Sequence, residues 1–276
     1  ETAPKEVAAS LTSAPLAVGT SFRAKFKASS VLPRFPSKKI QKRIGSRRAL
    51  DNLKSIESKF YAELVAEEPE KWRLDFETFA QNVSVVGGEE AISTFDLPDK
   101  AFFVEFGENG VVATDETGGE VTASQARIAT AVANLLRERH AWGKFAATRE
   151  FGRGKIVEAP QDIVLGSLLS LLLGDVTESN NTVSFFRFDE DAAKTELAIF
   201  EVHSRYKATD ATLKDGEYLD FEAKGRATLR VKDALLVGYE TEAKVTPRAD
   251  TGAMLPEGSG SWQMSFKVDT PSLQAP

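Results

Sequence analysis

His140 and His203 are the only imidazoles in the chain, so any histidine-based proton transfer near neutral pH must use one of them. A Ser-His-Asp arrangement also needs an activated serine, and no G-x-S-x-G elbow accompanies either histidine. His203 lies in an alternating segment on the face shared with Glu201 and Arg205, which reads as a wet strand face. His140 stands beside Arg139 and Trp142 where a helix is expected to end, and a cation there suits the terminal carbonyls. Gly152-Arg153-Gly154-Lys155 has the look of a phosphate loop, but Arg149 stands where the motif needs glycine and Ile156 follows the lysine. Asp189-Glu190-Asp191 lacks the spacing and the glycine of a calcium loop and reads as a solvated turn. The chain has no cysteine, which excludes disulfides, thiolate metal sites and a thiol nucleophile. The sequence therefore predicts no catalytic residue, no metal site and no cofactor. A carboxylate-based hydrolase stays open only because the chain has 41 acidic residues, none of which the pattern singles out.

Charge is the next signal. The net charge is −6, but residues 34–59 hold nine Lys/Arg against Asp51 and Glu57. Lys38, Lys39, Lys42, Arg43, Arg47 and Arg48 are the candidate contacts for an anionic surface or an acidic partner. Nucleic acid is disfavoured, because only Phe35 and Phe60 flank the segment as stacking platforms. The competing reading is a solvated loop whose charge keeps an insertion soluble. Residues 1–20 are rich in Ala, Thr, Ser and Pro and read as a flexible tether. A start at Glu1 followed by such a tether leads to the expectation of an exported protein: periplasmic, outer-membrane-anchored or secreted. The longest apolar run, residues 163–173 (IVLGSLLSLLL), is too short to cross a bilayer as a helix.

Strict alternation dominates what remains. In residues 218–231 (YLDFEAKGRATLRV), Leu219, Phe221, Ala223, Gly225, Ala227, Leu229 and Val231 share one face, opposite a charged face. That is the pattern of a long antiparallel strand with one dry side. Similar alternation marks strands over residues 21–29, 54–65, 72–77, 101–106, 110–114, 183–188, 195–206, 235–245 and 262–268. Pro33 and Pro36 are expected to end the first of these, with a short helix around residues 38–52 after it. Phe79 and residues 83–86 fall out of phase with Phe76, which predicts a bulge or a face switch near Phe79. Thr122 and Gln125 form a capping box that opens a helix to about His140, its stripe made by Ile128, Val132, Leu135 and Leu136. Residues 144–158 read as one or two strands. Pro160 is expected to introduce a second, nearly all-apolar helix over residues 161–173.

The expected fold class is α+β: a long-stranded, curled antiparallel sheet, half-barrel-like, with two helices packed on it. It forms one β-rich domain over residues 21–276, with a basic insert at 34–54. Residues 142–174 (WGKFAATREFGRGKIVEAPQDIVLGSLLSLLLG), followed by LDFEAKGRATLRVKDALLVGYETEAKV, resemble uncharacterised exported bacterial β-rich proteins and lipoproteins. The general shape is similar to lipoprotein-carrier half-barrels, in which a curved sheet encloses apolar space closed by helices. The resemblance covers roughly the C-terminal half and brings no functional residue with it.

The dry face of residues 218–231 is bulky at its ends and small at its centre. Either Leu168, Leu169 and Leu172 fill that space, the reading the pattern favours, or a hydrophobic ligand does. In the second case Phe221, Ala223, Gly225, Ala227, Tyr239 and Trp262 are its expected lining. The functional expectation is a non-enzymatic envelope protein that binds a hydrophobic ligand or scaffolds another envelope component. The alternative is an interaction module acting through residues 34–59.

Overall fold

A computed structural model describes residues 8–9, 11–13, 18–34, 42, 50–66, 71–85, 91–93, 97, 100–107, 110–160, 176–209, 213 and 215–269. The strands are β1 (Ala8–Ala9), β2 (Ser21–Arg34), β3 (Leu50–Ala66), β4 (Lys71–Val85), β5 (Ala91–Ser93), β6 (Ala101–Gly107) and β7 (Gly110–Asp115). One helix follows, α1 (Ala123–Ala147). Then come β8 (Phe151–Gly152), β9 (Ile156–Ala159), β10 (Val176–Glu190), β11 (Glu196–Ala208), β12 (Glu217–Arg230), β13 (Leu235–Ala249) and β14 (Gly260–Asp269). Twelve strands form one antiparallel sheet in the order β7-β6-β4-β3-β2-β14-β13-β12-β11-β10-β9, with β5 beside β4. β1 and β8 make a separate short pair.

Alternation in sequence becomes alternation in burial. Along β2 every second side chain from Phe22 to Leu32 is buried, while Arg23, Lys25 and Lys27 face water. The same holds for Ile56, Phe60, Ala62 and Leu64 of β3 and for Trp72, Leu74 and Phe76 of β4. Opposite Lys59-Phe60 the partner residues are Thr78 and Phe76, so Glu77 is the extra residue of a bulge. The bulge shifts the phase and lets both Phe76 and Phe79 point inward.

The sheet curls around α1. The helix packs on β13 and also on β7, β6 and β4, strands separated from β13 by up to five others in the sheet order. Its N-terminus is set by the capping box: Gln125 N donates to Thr122 Oγ1 at 3.3 Å, and Thr122 N donates to Gln125 Oε1 at 3.0 Å. The helix runs past His140 to Ala147 because Trp142, Phe145 and Ala146 extend the inward stripe. Gly143 does not break it, since a Cβ there would stand 2.7 Å from the Ala234 carbonyl oxygen. Glycine is what allows the helix to lie against the β12–β13 turn. The lower end of the inner face is the end at Phe22, Trp72 and Leu236, and the upper end is the end at Leu32, Phe221 and Gly260.

The expectation of two helices packed on the sheet is corrected. The described residues contain a single α-helix and one large antiparallel sheet. The layer that the described residues place on the sheet is α1, which touches β13 as well as β4, β6 and β7. Residues 161–173, expected as the second helix, lie outside the described residues. Other corrections are local. β2 continues through Pro33, which sits opposite Asp51 near the strand's end. Leu50, Asp51 and Asn52, expected in a short helix, begin β3. Lys144 to Ala147, expected as strand, belong to α1, and only Phe151–Gly152 and Ile156–Ala159 of that region are strands.

Candidate functional site

Register places the inward side chains of six central strands in cross-sheet rows. One row reads Phe26, Phe266, Tyr239, Ala227, Phe200, Phe185 from β2 to β10. The next row up is Ala28, Met264, Thr241, Gly225, Val202, Val183. Above it lies Ser30, Trp262, Ala243, Ala223, Ser204, Asn181. Higher still, Tyr206 stacks on Phe221 with centroids 4.9 Å apart, and Trp262 meets Phe221 edge-on at 6.4 Å. Between the aromatic row below and the Tyr206–Phe221 pair above, the small residues Gly225, Ala223 and Ala243 lie at the centre of the two middle rows. Gly225 is required at the centre, because a Cβ there would collide with the Glu240 carbonyl of β13.

The Ser30–Asn181 row has a second property. Ser30 Oγ, Trp262 Nε1, Ser204 Oγ and Asn181 Oδ1 are all buried without a hydrogen-bond partner. Their residues are 2%, 1%, 7% and 2% exposed, so solvent does not satisfy them. Asn181 spends its amide on Pro160 O (3.1 Å) and Ser179 Oγ (3.3 Å), which leaves the carbonyl oxygen as an acceptor. A buried polar atom left unpaired costs about 1–3 kcal/mol, and native folds keep few of them. Four in one row, two on each side of a pair of alanines, form a coherent set.

All six residues expected to line a ligand face the inside of the sheet. Ala223 and Trp262 lie in the row, Phe221 just above it and Gly225 just below it, and Ala227 sits opposite Tyr239 one row lower. Five are buried and Gly225 is half-buried. Burial raises the Tyr239 hydroxyl pKa, the Glu138 carboxylate pushes the same way, and the Thr241 hydrogen bond opposes both. The phenol is neutral at physiological pH. Sequence reasoning missed Ser30, Ser204 and Asn181. A signal was present: Ser30 and Ser204 are hydroxyls at dry positions of otherwise strictly alternating strands.

The lower inner face is built differently. Arg139 is 4% exposed, donates from Nε to Leu236 O at 2.6 Å and lies over the Phe22 ring at 4.3 Å. Desolvation lowers its pKa to about 10, with Arg230 adding to the shift and Asp233 opposing it, so it stays charged at neutral pH. Arg139 is thus a buried tie between α1 and β13.

The outer face is charged. Behind the two middle rows lies a shallow open depression of about 720 Å³ whose lining includes Lys27, Glu201, His203, Lys224, Arg226 and Glu240. Opposite charges face each other there, Arg226 between Glu201 and Glu240 and Lys224 beside Glu242, as on a solvated sheet surface. His203 is exposed on this outer face, and His140 lies on α1 inside, seven residues before the helix ends. Higher on the outer face, Asp220 accepts from Arg205 (2.9 Å) and Arg248 (2.7 Å), and Arg248 donates onward to Gly252 O. Burial works to raise the Asp220 pKa, but the two arginines outweigh it and the net shift is downward. This cluster ties β11, β12 and the turn after β13 together.

Of the candidate anionic contacts, Lys42 is exposed, while Lys38, Lys39, Arg43, Arg47 and Arg48 lie outside the described residues. The β2–β3 ladder runs to Arg34 opposite Leu50, so the basic stretch joins the ends of two paired strands. Among the described residues, no group of three or more His, Asp and Glu is placed to hold a metal ion.

No protein-family model and no curated protein matches the chain. Among solved structures it is similar to an outer membrane channel from Pseudomonas putida F1, at 10% identity, covering 98% of this chain and 100% of that one, with a TM-score of 0.21. At that score the likeness carries neither fold nor function. Strands that face lipid put apolar side chains outward and polar ones inward. β2, β11 and β12 do the reverse, with Lys25, Lys27, Glu222 and Lys224 outside and Phe26, Phe200 and Phe221 inside. No described helix is long and apolar enough to cross a membrane.

Proposed function

We propose that the protein is a non-enzymatic binding protein of the cell envelope that holds an apolar or amphipathic ligand of the lipid class against the inner face of its sheet. One observation carries this reading: four unpartnered hydrogen-bonding atoms in a single row, set in an apolar frame and flanked by the smallest side chains of the sheet. The aromatic row below and the stacked Tyr206–Phe221 pair above give a ligand flat apolar surface, and Ala223, Gly225 and Ala243 leave it the most depth. Assignment to the envelope rests on the composition of residues 1–20 and on the resemblance to exported β-rich proteins.

Native mass spectrometry of protein purified from cells, followed by organic extraction, is the test. The expected result is a co-purifying lipid mass at about one per chain, lost in Ala243→Leu, which fills the row without adding a polar group. Absence of any bound mass, together with failure of the delipidated protein to take up a fluorescent acyl probe, would remove the reading.

A further inference from the structure

The chemistry of the row narrows the ligand, given the binding role proposed above. Trp262 Nε1 can only donate and Asn181 Oδ1 can only accept, while Ser30 and Ser204 can do either. None of the six side chains in the row is charged, nor is any in the row below it. The described buried cation of the inner face, Arg139, is engaged at the lower end by Leu236 O and the Phe22 ring. A ligand anion brought to the row would therefore lose its water and meet no counter-charge, the costliest form of burial. The polar atoms also fall into two groups. Ser30 and Trp262 are direct cross-strand neighbours, as are Ser204 and Asn181. Ala243 and Ala223 stand between the groups, so Trp262 and Ser204 are three strand spacings apart, roughly 14 Å in a flat sheet and less on a concave face.

We propose that this row binds an uncharged chain-like amphipath carrying hydrogen-bonding oxygens at two separated points, with its hydrocarbon lying across Ala243 and Ala223. An ester or amide carbonyl accepts from Trp262 Nε1 and the Ser30 hydroxyl. A hydroxyl further along the chain donates to Asn181 Oδ1 and accepts from Ser204. The row is closed to solvent and its four polar atoms have no partner, so a ligand that enters it gains hydrogen bonds that the row does not otherwise make. Such selection favours hydroxylated or doubly esterified acyl chains over free fatty acids and over hydrocarbons.

The test is displacement of a bound fluorescent acyl probe from delipidated full-length protein by four competitors: methyl 12-hydroxystearate, methyl stearate, stearate and octadecane. The expected order of affinity is the hydroxy ester first, the plain ester next, and stearate and octadecane last. Each lost hydrogen bond should weaken binding roughly two- to tenfold. Ser204→Ala should weaken the hydroxy ester while leaving the plain ester unchanged, and Trp262→Phe should weaken both esters and leave octadecane unchanged. Melting temperatures of both variants show that they fold. Stearate binding as tightly as the hydroxy ester would overturn the uncharged, two-point ligand while leaving lipid binding in place. Equal losses for all four competitors in Trp262→Phe would also overturn it, by giving the indole a packing role. Failure of every competitor and of the probe would overturn the binding role itself.

Discussion

The lower inner face, where α1 docks, and the upper inner face, along the Ser30–Asn181 row, are lined by the same aromatic-rich strands but treat polar atoms in opposite ways. Below, Arg139 has a backbone carbonyl and a ring face, and Arg230 binds Asp233 through both carboxylate oxygens. Trp142, Phe145, Phe151 and Phe200 interlock there at centroid distances of 5.0 to 6.3 Å. Trp72 Nε1 at that end is also without a hydrogen-bond partner. Above, four polar atoms converge on one row with nothing to bind and small residues between them. The contrast teaches that apolar burial alone does not tell an ordinary core from the proposed site. Both halves are dry, and only the hydrogen-bond inventory separates them.

The largest expected effect lies in the lower half. Trp142 is fully buried between Phe145 and Phe200, so Trp142→Ala should cost about 3–5 kcal/mol in urea denaturation. A cost below about 1 kcal/mol would mean that the helix does not fill the cup there. Gly143→Ala follows, since the new methyl would press on the Ala234 carbonyl; it should cost about 1–3 kcal/mol, and a neutral result would detach the helix from the turn.

A third expectation concerns the outer side of the upper half, where polar groups are satisfied. Asp220 has a lowered pKa, so its ion pairs contribute fully above the ordinary aspartate value of about 3.9 and fade as pH falls through the lower folded value. Wild type should be more stable than Asp220→Asn at pH 7, and the two should converge in acid. A difference unchanged down to pH 2 would assign Asp220 a role other than its charge.

Two smaller effects complete the series. Ser58 Oγ donates to Thr78 O at 2.8 Å, so Ser58→Ala should cost about 0.5–1.5 kcal/mol. Deleting residues 37–48 should change stability by less than about 0.5 kcal/mol, because the β2–β3 ladder closes at Arg34 opposite Leu50 and loop length enters weakly. A large loss on deletion would make the basic stretch part of the fold rather than an appendage to it.

Much of this molecule was legible in its sequence. The period-2 segments fixed which side chains of β2, β3, β12, β13 and β14 face inward, and the phase slip at Phe79 located the bulge. The capping box gave the start of α1 to the residue. Its end was not legible, because the helix continues past His140 through Gly143, which the Ala234 carbonyl requires to be a glycine. The burial of Arg139 was not legible, because nothing local reveals that β13 will offer it a carbonyl 97 positions away. The inward positions of Phe221, Ala223 and Trp262 came from alternation. The row itself did not, since cross-strand register across six strands is a property of the whole sheet and brings Ser30, Ser204 and Asn181 together from three distant segments.

The most direct test of the contrast between the two halves is the stability of the ligand-free double variant Ser30→Ala, Ser204→Ala, set beside Ser58→Ala. Removing two hydroxyls that have no partner should leave the free energy of unfolding unchanged or raise it by up to about 2 kcal/mol, while the partnered Ser58 loses stability. The same double variant should gain less than wild type on addition of methyl 12-hydroxystearate. A destabilised double variant, with a loss equal to or larger than that of Ser58→Ala, would show that the row is satisfied as ordinary core and would contradict the account.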